Sequence, residues 1–394
     1  MNDLGGLEQA LRALQADVER HVSPERVRRY LSALVDMPAP STLAAAMRVP
    51  VLRRLLAEDG ALESGDLHFH GDFGGTGSPV ILTGSPRPAK PLWYFAHLDT
   101  ISYLVQPFDG GRYPLVPFCA HMIGDGERAA RAYRYELGRN AFVVVAEGQL
   151  VSRAGTPSFR PDRSAPPLRP GDRVVMASSY REDPASRLFT GPMDNAGGVA
   201  ALAVAAPVLA RTGIEAMLAF PDEEEGPVAP GNQMIGRGGS RLISLLPAPE
   251  LAIVADVQQG GGAPDADTGG GIANSTRLGA GAVLAEFSSF ARGAVTPPDL
   301  YVLARHVAAL LGGFGVLVQE SNNAYSSRSD DVSVMLKTSN VLLLGFPGFN
   351  RHFDRGEPRA HLDDVVYLAK ALVYMSALRP VATARRRALL GEAS

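Results

Sequence analysis

The chain of 394 residues has one cysteine, Cys119, and one tryptophan, Trp93. A single thiol cannot build an intrachain disulfide framework, and it suits a reducing compartment. An excess of charge is also missing: 38 Lys and Arg against 41 Asp and Glu leave a formal net charge of −3, so there is no broad basic field for nucleic acid. The one dense basic run, Arg385, Arg386 and Arg387, reads as the solvated end of a last helix. The longest apolar stretch, residues 197–210, contains Pro207 and falls short of the roughly 18 residues of a membrane span. The opening MNDLGGLEQALRALQADVER alternates charges with Leu and Ala and lacks the basic start and apolar block of a secretory signal. These absences point to a cytoplasmic protein with no nucleic-acid partner and no membrane partner.

What is present reads as globular. Apolar residues make up 46% of the chain and charged residues 20%, values that support a compact core, and the length suits about two domains of roughly 150 residues each. Residues 4–20, 24–35 and 43–58 carry Leu, Val and Ala at helical spacing, which predicts amphipathic helices packed on one face of a sheet. Short β-like runs follow at LHFHGDF, PVILTG and LWYFAH. From about 104 to 188 the texture changes to short β segments, among them FVVVAEGQLVSR and DRVVMAS, broken by a Pro-rich loop at 155–171. This predicts a β-rich domain at 104–188 inserted into a discontinuous main domain made of 1–103 and 189–394. Beyond the insert, strand and helix signals alternate at 194–211, 213–221, 232–246, 250–257, 297–312, 314–319, 340–346 and 364–377. The fold class expected is α/β, with a mixed central sheet and helices on both faces.

Five side chains with metal-ligating atoms sit where successive strand-like or helix-like runs begin or end: His97, Asp194, Glu224, Asp256 and His352. The carboxyl ends of strands in open α/β sheets converge on one crevice, so such residues can meet although far apart in sequence. In His97-Leu98-Asp99 the outer two residues share a strand face, and a carboxylate there can orient the imidazole. Asp194 precedes the apolar helix GGVAALAVAAPVLA and reads either as a helix cap or as a ligand. The run Glu223-Glu224-Glu225-Gly226 is either a solvated turn or a ligand beside a general base, and Asp256 either opens a turn or ligates. Together, two imidazoles and three carboxylates suit a pair of divalent ions, zinc first, with cobalt or manganese as alternatives. His68 and His70 read as strand residues. The glycine runs at 260–262 and 269–271 lack the lysine of a phosphate loop and read as borders of a cleft.

The Asp-Asn-Ala-x-Gly-Val-Ala stretch at Asp194 resembles the bacterial leucyl aminopeptidases. HLDTISYLV at 97–105, the inserted β domain and Leu168-Arg169-Pro170-Gly171-Asp172 resemble the tetrahedral, or glutamyl, aminopeptidases. Both are co-catalytic zinc aminopeptidases, and the resemblance spans roughly residues 25–378. It implies that His97 and Asp256 hold one ion, Glu224 and His352 the other, and Asp194 bridges them. It also implies that Asp99 orients His97 and that Glu223 is the general base, a register resting on glycine two residues after the ligating Glu. Where the tetrahedral family has Asp-Asp-Arg and Arg-Tyr-x-His, this chain reads Met193-Asp194-Asn195 and Asn350-Arg351-His352. His361 directly precedes LDDVVYLAKAL and reads as part of a helix start. The expectation is therefore a two-metal, homo-oligomeric hydrolase releasing N-terminal residues from peptides. A two-metal deacylase or dipeptidase acting on a small amide, and a metal-free binding protein on the same fold, are the alternatives.

Overall fold

The computed structural model describes residues 3–162, 166–226, 236–261, 273–324 and 327–391. Helices α1 (Asp3–His21), α2 (Pro24–Asp36) and α3 (Ala44–Glu58) follow the apolar spacing of the sequence closely. The Ser23 hydroxyl accepts the N–H of Arg26 at the start of α2, and Pro24 takes its first position. Such a start satisfies one otherwise unpaired donor and presets φ. The buried stripe of α2, Val27, Tyr30, Leu31, Leu34 and Val35, recurs at the period that lines one helix face. Strands β1 (Leu67–His70), β2 (Val80–Thr83) and β3 (Leu92–Phe95) come next.

The chain then leaves the main sheet. Strands β4 (Ser102–Val105), β5 (Tyr113–Phe118), β6 (Gly126–Glu136), β7 (Ala141–Arg153), β8 (Thr156–Pro161) and β9 (Arg173–Met176) close into a barrel in the order β4-β5-β8-β7-β6-β9. Closure removes unpaired strand edges, and Tyr103, Leu150, Phe159 and Val174 fill the interior. Phe353, from far along the chain, packs into the same core. The return path carries β10 (Arg181–Glu182) and β11 (Leu188–Thr190), which pair with each other and, through β11, with the main sheet. Residues 181–188, expected inside the insert, therefore build the other sheet. Their short β texture matches that of the barrel, so composition alone does not separate them.

The remainder alternates as the sequence suggests. In order come α4 (Ala196–Arg211), β12 (Ala216–Ala219), α5 (Arg237–Ser244), β13 (Leu251–Gln259), β14 (Ala282–Ala285), α6 (Pro298–Leu311) and β15 (Val318–Glu320). Then follow α7 (Asp331–Val334), β16 (Val341–Phe349), β17 (Arg359–His361), α8 (Leu362–Met375) and α9 (Leu378–Leu389). The glycine run at 269–271, much of the loop at 260–272 and the first part of the helix expected at 232–246 lie outside the described residues.

Among the described residues the large sheet has 11 strands in the order β1-β2-β12-β3-β13-β16-β17-β11-β10, with β14 also on β16 and β15 on β14. Strand residues alternate between two cores. Leu92 and Tyr94 join the one covered by α1, α2, α4 and α8, whereas Trp93 and Phe95 face the one beneath α5 and α7. This is the mixed sheet with helices on both faces. Helix α4 is buried on all sides through Ala210, as expected of a helix apolar all round, and each fully buried Leu or Val contributes roughly 1.5–3 kcal/mol. Adjacent strands β12, β3, β13 and β16 are mutually parallel. Their carboxyl ends consequently share one edge.

Candidate metal centre

That edge gathers residues from five places in the chain. His97 lies just beyond β3, the acidic run just beyond β12, and His352 just beyond β16, while Asp256 sits within β13 opposite Gly345 of β16. Asp194 precedes α4, but it does not cap it. The Asn195 side chain accepts the N–H of Gly198 at 3.0 Å and donates to the carbonyl of Ala255 at 2.7 Å, so the cap is supplied one residue later and the Asp194 carboxylate is left to meet His97 and His352. The Asp194–Asn195 peptide is cis.

The two oxygens of Asp194 face two different histidines. Oδ1 is 3.1 Å from His97 Nε2, which is 3.7 Å from Asp256 Oδ1. Oδ2 is 3.2 Å from His352 Nε2, which is 3.3 Å from Glu225 Oε2. Ligand atoms around a tetrahedral zinc with bonds of about 2.0–2.1 Å lie about 3.3 Å apart, so both groups, His97–Asp194–Asp256 and Asp194–Glu225–His352, have the spacing of an ion's coordination shell. Both imidazoles are turned for this by their other nitrogen. His97 Nδ1 is 3.0 Å from the carbonyl oxygen of Asp99, and His352 Nδ1 is 3.3 Å from that of Ala120 in the barrel, which leaves each Nε2 for a ligand. Glu224 Oε1, Glu225 Oε1 and Asp256 Oδ2 are buried without a hydrogen-bond partner among the described residues. Such acceptors are costly unless something cationic meets them. The residues present thus fit a pair of divalent ions.

The acidic run stands one residue off the expected register. Glu223, expected as the base, has a left-handed backbone with φ of 66° and turns outward to pair with Arg241 at 2.5 Å. Glu224, expected as the ligand beside His352, instead lies on the His97 side and in neither ligand group, with Oε2 3.8 Å from His97 Nε2 and Oε1 3.7 Å from Arg328 Nε. Glu225 is the acid that reaches His352. The cause is local. Asp99 accepts the backbone N–H of Glu224 at 3.0 Å and of Glu225 at 3.3 Å, and the turn at Glu223 delivers both amides to it. Asp99, expected to orient His97 through its carboxylate, is 3.5 Å from His97 Nδ1; its stronger bonds go to the acidic run and to the Ser41 hydroxyl at 2.6 Å.

The charges act on one another strongly. Burial opposes ionisation of Asp194, but bonds from His352 and His97 and the charge of Arg351 hold it well below the usual carboxylate range. Burial raises Glu224 to about 8 despite His97 and Arg328, and burial with the Asp194 charge raises Asp256 to about 6. Burial opposes protonation of His352, yet the Glu225 and Asp194 carboxylates lift it to about 10. Asp330, also buried, is pushed up by burial and by the Glu224 charge.

Several contributors have no sequence signal of their own. Arg48 is fully buried and donates to the carbonyls of Leu98, Leu34 and Met37 at 2.5, 2.8 and 3.3 Å, tying α2 and α3 to the residue between His97 and Asp99. In sequence it is one arginine on an amphipathic helix. Arg328 and Arg351 were equally silent, although Arg351 adjoins a proposed ligand. His361 caps α8 by accepting the N–H of Asp363 at 3.2 Å, and His68 Nε2 is 3.0 Å from the carbonyl oxygen of Gly84; neither joins the centre.

No protein-family model and no curated protein matches this sequence. Solved structures do match its fold. A TET peptidase of Pyrococcus horikoshii, described as able to assemble into a tetrahedron or a large octahedral shell, superposes with a TM-score of 0.65 at 17% identity, covering 89% of this chain and 99% of its own. An aminopeptidase from the archaeon Desulfurococcus kamchatkensis gives 0.65 at 15% identity, covering 89% and 95%. An M18-family aminopeptidase from Thermotoga maritima gives 0.59 at 14% identity, covering 91% and 98%. Across nearly its whole length, this chain has the fold of the TET and M18 aminopeptidases.

Proposed function

We propose that the chain is a two-metal aminopeptidase. His97 and Asp256 would hold one ion and Glu225 and His352 the other, with Asp194 shared by both groups. The observation that carries this reading is the pair of ligand groups sharing Asp194, one oxygen to each side, with unpartnered carboxylate oxygens buried around them. Divalent ions bound there would polarise the scissile carbonyl and lower the pKa of water, zinc being the first choice for this mixture of nitrogen and oxygen ligands.

Glu224 is the general base. Its carboxylate stands beside the centre, 3.8 Å from His97 Nε2 and in neither ligand group, and burial that raises its pKa brings it toward the range useful for proton transfer near neutral pH. It takes a proton from the attacking water and passes it to the leaving nitrogen as the C–N bond breaks. Arg328 holds the other side of that carboxylate. Glu223 and Arg241 form a surface pair that takes no part.

The chain also self-associates in this reading, as the Pyrococcus horikoshii peptidase of the same fold does. The test is turnover of aminoacyl anilides against N-acyl amino acids after reconstitution with zinc, cobalt or manganese. Metal-dependent release from unblocked anilides supports the aminopeptidase; release only from acylated substrates replaces it with a deacylase.

A further inference from the structure

Arg351 occupies an unusual position for a cation beside a metal centre. Its Nη1 is 3.0 Å from Asp194 Oδ2 and 3.3 Å from His352 Nε2, and its side chain is only 12% exposed. Those two atoms belong to the Asp194–Glu225–His352 group, whose own ligand atoms stand 3.2 and 3.3 Å apart. The guanidinium nitrogen therefore stands at ligand-like spacing from two of the group's three atoms, but it is permanently protonated and has no lone pair to offer an ion. The other half of the centre differs. Among the described residues, the ion-pair partners of His97 Nε2 there are the carboxylates of Asp194, Glu224 and Asp256.

We infer that Arg351 is a built-in counter-ion of the Glu225–His352 half, so that the two ions bind in sequence and with unequal affinity. This rests on the two-metal reading. A dication centred among Asp194, Glu225 and His352 would stand beside the guanidinium in a buried setting, where like charges repel much more strongly than in water. Arg351 must swing away before that ion is held, and the ion replaces its contact to Asp194. Among the described residues no guanidinium is hydrogen-bonded to His97 or Asp256, though the Arg351 charge is felt at Asp256, and that half fills first. Arg351 thereby keeps the bridging carboxylate paired when only one ion, or none, is bound, at the expense of affinity at the second position.

Calorimetric titration of zinc chloride into the metal-stripped full chain tests this. Wild type should show two unequal steps. Arg351→Met should leave the first within threefold and tighten the second by about tenfold or more, the scale on which neighbours of ligands tune metal affinity. Arg351→Gln, also neutral, should behave alike and serves if the Met variant misfolds. In chelator, both variants should melt below wild type, because Asp194 keeps its two histidines but loses its charged third partner, and zinc should raise their Tm more than it raises that of wild type. Two ions bound by wild type with the second step unchanged or weakened in both variants overturns the inference alone. A chain that binds no zinc overturns the two-metal reading and the inference with it.

Discussion

Asp99 accepts the backbone N–H of Glu224 at 3.0 Å, so the residue that follows His97 by two also fixes where the acidic run presents its side chains. The same carboxylate takes the N–H of Glu225 and the hydroxyl of Ser41. Asp99→Ala should leave two buried N–H groups unpaired, at about 1–3 kcal/mol each, and loosen both Glu224 and Glu225. We expect weaker zinc binding at the Glu225–His352 half and a lower kcat, with a smaller effect on the His97–Asp256 half. Zinc titration by calorimetry resolves the two; an equal loss at both halves would mean that Asp99 acts mainly through His97.

Glu224→Gln should lower kcat by roughly 10²–10⁴-fold, the contribution typical of a positioned general base, while two ions remain bound. Glu223→Gln should keep near-wild-type turnover, since Glu223 pairs with Arg241 at the surface. Measuring anilide turnover and metal content together decides the register: loss of turnover in the Glu223 variant with Glu224→Gln active would restore the pattern expected from Gly226.

Gly345→Ala probes the strand that carries Asp256 into place. A Cβ at Gly345 would collide with the Asp256 carbonyl oxygen, and β13 and β16 pair in register at these two residues. Overpacking of this kind costs about 1–3 kcal/mol. The expected outcome is a lower Tm together with weaker binding of the ion held by His97 and Asp256; an unchanged Tm would show that the strands have room to separate there.

Arg48→Met should destabilise the chain by about 2–4 kcal/mol, because three carbonyls of Leu34, Met37 and Leu98 lose their donor in a buried setting. Denaturant unfolding gives the value. A change below about 0.5 kcal/mol would show that water or a neighbour replaces the guanidinium.

Much of this architecture was legible from periodicity. Helices α1 to α4, α6 and α8 and the strands before His97 and around Asp256 are long or apolar enough to declare themselves. Strands β14 and β17 were not anticipated: both pair antiparallel with β16, outside the alternation of strand and helix from which the other elements were read. The site was legible as an inventory of ligand types at one sheet edge, because strand ends can be read from sequence. Its register was not. Which of Glu223, Glu224 and Glu225 reaches the histidines depends on one left-handed residue and on the Asp99 carboxylate arriving from 125 positions away, and neither leaves a local mark. The same holds for Arg48 and Arg351, whose importance comes from where they are buried.

The most direct measurement is a zinc-edge anomalous difference map from crystals of the zinc-loaded chain. Two peaks about 3.5–4 Å apart, one on each side of the Asp194 carboxylate, with Glu225 and His352 on one and His97 and Asp256 on the other, are what this account predicts. A single peak, no peak, or a second ion held by Glu224 in place of Glu225 would contradict it.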